Sequence, residues 1–336
     1  MEGGETSARL DSDERMTGLV TLTFGPVPSR RRGRSLGINN IPPKICTYSC
    51  LYCQVGTTQG QKTEPQTFYS PQDIFHEVSE HLGTVNSANE TVDYLTFVPD
   101  GEPTLDISLG KTIELLQPLG IPIAVISNAS LLWHEDVRTA IARADWVSLK
   151  IDSTIEKIWR QINRPPDALH LDDVMNGIRH FAREFHGKLV TETMLIKGIN
   201  DNDENITGIA NFIHEFGAST SYLAIPTRPT AEHGIRAPDE TTLNRCYQIM
   251  AANVPNVEYL TRYEGDAFAF TGDVRRDLLS ITAVHPMRES AVSELLSRAN
   301  ADWSLVDELI TECKLKKVDY LGEHYIMRWF TARQEN

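Results

Sequence analysis

The sequence predicts an α/β protein: a partial (βα)6-type barrel of parallel strands followed by a small C-terminal α+β domain. Three observations lead there. From about residue 36 to about residue 260, short apolar runs alternate with amphipathic helical stretches, the pattern of repeated βα units around a parallel sheet. The units number six or seven, too few for a complete eight-unit barrel, so an open, curved sheet is expected. Beyond about residue 268 the pattern changes to two short helical stretches and a strand pair. A doubly wound sheet is the alternative arrangement of the same units.

Residues 1–20 are expected to form a flexible tail; the start of the chain is polar and mostly acidic, without the cationic start and apolar stretch of a secretory signal. Candidate strands follow at 36–41, 92–98, 121–127, 146–151, 189–196 and 221–225, with a weaker one at 257–260. The first helix is announced by Ser70 as cap and Pro71 in the first position; Ile74, Val78 and Leu82 then form one apolar stripe, and Gly83 is expected to close it. Val174, Ile178, Phe181 and Phe185 repeat the period, as do Ile206, Ile209 and Ile213 before Gly217. The polar stretch 57–66 is a lid or a plain connection. Residues 21–268 are therefore assigned to the barrel. In the domain assigned to 280–332, helices at 290–298 and 303–313 precede strands at 318–320 and 325–329, with Gly322 in their turn. This tail resembles a winged helix. Its second helix carries Asp307, Glu308 and Glu312, with Asp302 just before it, the wrong charge for a DNA-reading helix, so packing or protein contact is expected.

The chain has 336 residues and a formal net charge of -14, from 46 acidic against 32 basic side chains. Such a field opposes phosphate backbones and anionic lipid. No apolar run is long enough to cross a bilayer, so no membrane partner is expected. Three of the five cysteines fall within eight residues, which suggests metal ligation in a reducing compartment, with the cytoplasm as the expected location.

Those three cysteines give the strongest signal. The text Cys46-Thr47-Tyr48-Ser49-Cys50-Leu51-Tyr52-Cys53 has C-x3-C-x2-C spacing directly after the first candidate strand. Three thiolates on a tight loop can hold three corners of one metal centre. Structural zinc wants four closed ligands, and the remaining cysteines, Cys246 and Cys313, stand isolated among helical residues. A three-ligand site leaves a position open for a substrate or cofactor.

The motif, with aromatic Tyr52 before its last cysteine, resembles the signature loop of the radical SAM superfamily. The resemblance spans roughly residues 24–265, and the stretch from Phe24-Gly25-Pro26 through Cys53 is similar to a branch of iron-sulfur oxidoreductases grouped loosely with wyosine-forming tRNA enzymes. It implies that Cys46, Cys50 and Cys53 bind a [4Fe-4S] cluster. It implies further that S-adenosylmethionine chelates the open iron and, on one-electron reduction, releases a 5'-deoxyadenosyl radical. Asp100-Gly101-Glu102-Pro103 resembles the family's Gly-Glu-Pro element, whose backbone and carboxylate meet the methionyl ammonium; a plain turn is the competing reading. Ser127 and Asn128 end the third strand, where the family binds ribose or methionyl carboxylate, and helix capping competes. Lys150 and Asp152 end the fourth strand two residues apart, so they are expected on one face, as cofactor contacts or as a salt bridge. Glu192 lies in the fifth strand, and the following 195–201 resembles the family's adenine-contacting strand end.

The run Arg30-Arg31-Arg32-Gly33-Arg34 is the only dense basic cluster, either an anion site that orients an acidic substrate or a solvated face. His76, His81, His134, His180, His186 and His214 have no ligand-like spacing and are read as surface or packing residues. No P-loop or serine-hydrolase motif occurs. The expected function is therefore a radical enzyme acting on a small-molecule, peptide or protein substrate, served by a reductant such as flavodoxin or ferredoxin. The alternatives are a tRNA-modifying enzyme of wyosine type, against which stand the net charge and the lack of cysteines before Cys46, and an iron-sulfur sensor that works through the C-terminal domain.

Overall fold

The computed structural model describes residues 21–29, 31–58, 60–261 and 268–329; the tail expected over residues 1–20, and Arg30 of the basic run, lie outside them. The chain opens with an element the sequence reading passed over. Strand β1 (Thr23–Ser29) pairs antiparallel with β2 (Gly33–Ile38), with a register shift between Phe24 and Val27. Gly25, Pro26 and Pro28 read as strand breakers, yet an edge strand tolerates prolines because one side of it has no ladder to feed. The first parallel strand therefore ends at Ile38, short of the expected 41.

A small two-stranded ribbon follows, β3 (Ile45–Cys46) with β4 (Gly60–Gln61). Helix α1 (Pro71–Ser87) starts as expected, with the Ser70 hydroxyl accepting from the Asp73 amide. It does not stop at Gly83; it runs a further turn because Val85 is buried and extends the apolar stripe. The βα series continues with β5 (Tyr94–Phe97), α2 (Leu109–Leu116), β6 (Ile123–Ser127), α3 (Glu135–Ile141), β7 (Trp146–Lys150), α4 (Glu156–Asn163), α5 (Leu171–Glu184), β8 (Lys188–Met194), α6 (Asp203–Phe216), β9 (Thr220–Ala224), α7 (Glu240–Asn253) and β10 (Val257–Leu260). Helix α6 is capped by Asn202 and ends at Gly217 in the left-handed conformation, as its sequence predicts.

The strands form one sheet in the order β1-β2-β5-β6-β7-β8-β9-β10, parallel from β2 onward. The fold is thus α/β with a mostly parallel central sheet. Strand side chains alternate between its two faces. Leu95, Phe97, Val125, Val147 and Leu149 pack with Ile74, Ile113, Ile178, Ile206 and Met250 of the helices in one large core. The opposite face carries a separate cluster of Ala124, Trp146, Val190 and Tyr222. Lys150 and Glu192, at even spacing from Trp146 and Val190, fall on that second face, where no layer of βα helices covers them.

The remaining chain forms α8 (Val274–Val284), β11 (Met287–Arg288), α9 (Glu289–Arg298), α10 (Ser304–Thr311), β12 (Leu315–Tyr320) and β13 (Glu323–Arg328), with strands ordered β11-β13-β12. Helix α8 and strand β11 have no counterpart in the sequence reading. Leu321 and Gly322, both at positive φ, make the tight turn expected at Gly322. This module has its own core of Phe268, Leu278, Ile281, Val292, Leu295, Leu309 and Ile326, and Val27 of β1 packs against it. It is tied to the rest of the chain by the Tyr325 hydroxyl, which donates to the Thr227 carbonyl (2.9 Å), and by Arg298, which pairs with Glu90 and, within the module, donates to the Phe268 carbonyl (2.6 Å).

Candidate active site

Residues 39–46 lead from β2 to the first cysteine and are laced onto the turn after β5. The Lys44 amide donates to the Asp100 carbonyl (2.8 Å) and the Glu102 amide to the Ile45 carbonyl (3.1 Å). Buried Asn40 donates from its side chain to the Pro103 carbonyl (3.0 Å) and to Asp106 (3.1 Å). Gly101 permits this approach: a Cβ there would stand 1.9 Å from the Ile45 carbonyl oxygen. Further along, the Ser49 and Leu51 amides donate to the carbonyls of Asn163 and Ile162 at the end of α4 (3.1 and 3.0 Å).

This scaffold presents three unbridged cysteines. Side-chain amides of Asn128 and Asn163 reach the sulfurs of Cys46 (3.5 Å) and Cys50 (3.4 Å). Burial pushes all three thiols up, Cys50 to about 12, and a nearby carboxylate adds to each: Glu102 for Cys46, Asp152 for Cys50, Asp100 for Cys53. They are therefore protonated at neutral pH until a metal takes the sulfur, and loading releases protons. Among the described residues no three His, Cys, Asp or Glu side chains close on a single metal ion. A trio of thiols on one wall, with amide donors aimed at two sulfurs, fits the donor set of a polynuclear iron-sulfur cluster, whose ligands stand wider apart.

The strand-end residues divide into two groups. Glu102 faces away from the cysteines into the wall: Oε1 accepts from the Thr104 amide (3.2 Å), the Thr104 hydroxyl (2.6 Å) and the Ser127 hydroxyl (2.7 Å), and Oε2 from the Asn128 amide (2.7 Å). Asn128 in turn donates to the Thr47 hydroxyl (2.7 Å), so Glu102, Ser127 and Asn128 brace the start of the cysteine loop. Pro103 is buried at the head of a single helical turn, Pro103–Leu105. Asp152 accepts from the Tyr52 hydroxyl, the Asn163 side chain (2.8 Å) and the Met194 amide (2.8 Å), joining the cysteine loop to α4 and β8. In the segment 195–201, buried Asn200 accepts from the Ile196 amide (2.8 Å) and donates to the carbonyls of Asp152 (3.0 Å) and Met194 (2.8 Å).

The second group faces a cavity of about 320 Å³, which the three cysteines share with Tyr52, Gly101, Lys150 and Glu192. Glu102, Pro103, Ser127, Asn128, Asp152 and residues 195–201 are not among its lining. Lys150 lines this cavity and Asp152 does not, but the two flank Tyr52 together, Asp152 at its hydroxyl and Lys150 over its ring, and both line a second, small pocket. Glu192 pairs with both Lys150 and Arg31, at 2.5 Å each. Burial would raise its pKa, but the two cations outweigh burial and bring it to about 2. The Lys150 ammonium also lies 5.3 Å from the centre of the Tyr52 ring.

The basic run splits. Arg31 and Arg32 turn inward from the β1–β2 hairpin, Arg32 with its guanidinium 4.8 Å from the centre of the Trp146 ring, whereas Arg34 pairs outward with Glu90. Sequence reasoning missed Lys44, Arg228 and His285, which also line the cavity, as does Asp100, quoted there only as the residue that opens the Gly-Glu-Pro stretch. Asp100, pushed up to about 6 by burial against the pull of Lys44, forms an ion pair with it at 3.2 Å. Arg228 donates to the Gln54 side chain (3.0 Å), next to Cys53. Its place just after β9 could have signalled it. His285 comes from the C-terminal module, at the end of α8, and burial, then Arg228, holds its pKa well below the usual value, so the ring stays neutral. No local signal marks it.

The family model described as the Radical SAM superfamily matches residues 40–208. A UPF0026 protein of Methanocaldococcus jannaschii is 45% identical over 319 residues, which cover 94% of this chain and 99% of that protein. A UPF0026 protein of Helicobacter pylori is 30% identical over 215 residues, 63% of this chain and 68% of that one. Among solved structures, a radical SAM methyltransferase from Sphaerobacter thermophilus shares the fold with a TM-score of 0.52, over 70% of this chain and 68% of that chain, at 17% identity.

Proposed function

We propose that this chain, which belongs to the radical SAM superfamily and takes a [4Fe-4S] cluster and S-adenosylmethionine as its cofactors, holds the cluster on Cys46, Cys50 and Cys53 and acts on a substrate in the same cavity. The observation that carries this reading is the convergence of three unbridged thiols with Gly101, Lys150 and Glu192 on one cavity. The bound cofactors supply one-electron cleavage of the sulfonium to a 5'-deoxyadenosyl radical.

The chain's own residues orient and enclose. The Asp100 carboxylate and Gly101 backbone are acceptors suited to the methionyl ammonium, and Lys150 is a donor suited to a carboxylate or ribose oxygen. Glu102, Ser127 and Asn128 act behind the wall by fixing the loop that carries Cys46. Asn128 and Asn163 donate to thiolate sulfur, which favours the added negative charge of a reduced cluster. The apolar walls of Met194, Ala224 and Leu260 exclude water from a reactive intermediate.

The same reading assigns residues 21–268 to a partial barrel, supported by βα helices that share one core on one face of the sheet. It assigns 280–332, together with helix α8, to a winged-helix-like module, supported by the strand order β11-β13-β12. Its helix α10 carries Asp307 and Glu308, and Arg275 is occupied by Glu308 and Glu312, so packing and cavity closure suit it better than DNA. No specific observation favours a tRNA substrate or a sensor role. A small-molecule, peptide or protein substrate, a flavodoxin- or ferredoxin-like reductant and a cytoplasmic location complete the proposal. No helix among the described residues is long and apolar enough to cross a membrane.

The test is anaerobic reconstitution with iron and sulfide, followed by dithionite and S-adenosylmethionine. Wild-type protein should form 5'-deoxyadenosine, and Cys50→Ala should fall to the no-enzyme background with reduced iron content. A wild-type preparation that binds iron but forms none, or a Cys50→Ala variant that matches it, would overturn the reading.

A further inference from the structure

The turn of the antiparallel β1–β2 hairpin delivers Arg31 to the wall of the cavity. There its guanidinium donates to Glu192 Oε2 (2.5 Å) and lies 5.8 Å from the centre of the Trp146 ring and 5.5 Å from that of Tyr222. Glu192 is the register partner of Lys150 on β7 and of Tyr222 on β9, so the three side chains are immediate neighbours on one face of the sheet. Each oxygen of Glu192 therefore has its own cation, Arg31 on Oε2 and Lys150 on Oε1 (2.5 Å). The side chain of Glu192 is 8% exposed, that of Arg31 10% and that of Lys150 21%, so Lys150 is the member of the triad that faces open space.

A buried ion triad is a poor source of stability, because desolvation of its members offsets most of their attraction. What such a triad fixes is orientation. A lysine ammonium is a point charge on a flexible four-carbon stem and settles where its acceptor stands, whereas a guanidinium is a planar fork that its neighbours can lock. With both carboxylate oxygens open to it, Lys150 would settle between them. Arg31, lodged against two aromatic rings, occupies Oε2 and confines Lys150 to Oε1, where the ammonium stands 5.3 Å from the centre of the Tyr52 ring. Tyr52 is fixed in turn by its hydroxyl bond to Asp152.

We propose that Arg31 is a positioning residue for the cofactor: by holding one oxygen of Glu192 it fixes Lys150 beside Tyr52, at the place where Lys150 meets S-adenosylmethionine. The proposal rests on the radical SAM reading above. Arg31 acts through Glu192 and Lys150, without a contact of its own to the cofactor. The β1–β2 hairpin, which adds no βα unit to the sheet, thereby takes a share in building the cofactor site.

The test is a double-mutant cycle on cofactor affinity. S-adenosylmethionine is titrated into anaerobically reconstituted full-length protein without a reductant, so that none is cleaved, and binding is read by calorimetry. Arg31→Gln should weaken binding by about tenfold, as loss of a partner that orients a ligating group does. Lys150→Gln should weaken it at least as much, and the double variant should bind no worse than Lys150→Gln alone, because a residue that acts through Lys150 has nothing left to act on. Arg34→Gln, which removes a charge from the same hairpin but from the outward pair with Glu90, should bind as the wild type does. Iron content and melting temperature are recorded for every variant. Where Arg31→Gln does not fold or take up iron, Arg31→Lys carries the same cycle: it keeps the charge without the fork, and should weaken binding in the wild-type background but not in the Lys150→Gln background. Unchanged affinity in the Arg31 variant used or in Lys150→Gln, losses that multiply in the double variant, or a loss in Arg34→Gln equal to that of the Arg31 variant would overturn the proposal. Formation of 5'-deoxyadenosine by the wild-type preparation on adding dithionite is recorded alongside. If it occurs and the losses multiply, the positioning proposal alone fails; if it does not occur, the radical reading fails first and the proposal falls with it.

Discussion

Asn163 shows how much one side chain can settle near a reactive loop. Its carbonyl accepts from Ser49, and its amide donates to the Cys50 sulfur and to Asp152. Replacing it with leucine removes a donor that favours the more negative, reduced cluster, so the midpoint potential should fall by on the order of tens of millivolts in a spectroscopic redox titration. An unchanged potential would show that this contact does not tune the centre. Glu192 allows a test by pH. Its folded pKa of about 2 lies below the ordinary 4.5, so its stabilising effect is fully present above about 4.5 and is lost as pH falls toward 2. Glu192→Gln strands Lys150 and Arg31 without their carboxylate and should cost about 3–5 kcal/mol at neutral pH. That gap should narrow steadily in urea melts below pH 4.5, and a gap independent of pH would contradict the pairing. At this scale the cysteines and Gly101 were legible because their spacing is local. Glu102 was legible as a residue but not as a brace, because its partners Ser127 and Asn128 lie on the next strand.

Among the elements, the turn after β5 and the ribbon that begins the cysteine loop work as one unit. Gly101→Ala would drive a methyl into the Ile45 carbonyl, so we expect a loss of about 1–3 kcal/mol and fewer iron atoms per chain after reconstitution. Gly83→Ala is the counterpart: nothing stands within 4 Å of a Cβ there and helix α1 continues past it, so a gain of up to about 1 kcal/mol is expected. Iron content read together with melting temperature distinguishes a loop displaced from the cluster from a general loss of stability. The same two glycines show what sequence reasoning about elements can and cannot reach. A glycine after an apolar stripe reads as a helix end, but burial of Val85 made a further turn favourable. Strand β1 was hidden for the converse reason: its prolines argue against a strand, and only its edge position makes them harmless.

For the molecule as a whole, the C-terminal module completes the cavity by bringing His285 and Val284 to its wall. The Tyr325 hydroxyl bond to Thr227 helps hold it there, next to Arg228. Tyr325→Phe should weaken that attachment by about 1 kcal/mol and speed amide exchange in residues 225–228 while strands β6 and β7 stay protected; uniform exchange across the sheet would mean the module is not a separable support. Charge is also distributed at this scale: in a chain of net charge -14, Arg31, Arg32, Lys44, Lys150 and Arg228 stand with Asp100 and Glu192 among the described residues that line the cavity. The sequence by itself determined the alternation of strands and helices, the cysteine motif and the family, since periodicity and short spacings are properties of neighbouring residues. Tertiary structure alone decided that Arg31, Arg32, Glu192, Arg228 and His285 share one space and that Glu102 turns from it. Residues so far apart meet only through strand order and packing, and no local pattern in the chain encodes which distant side chains a folded sheet will bring together.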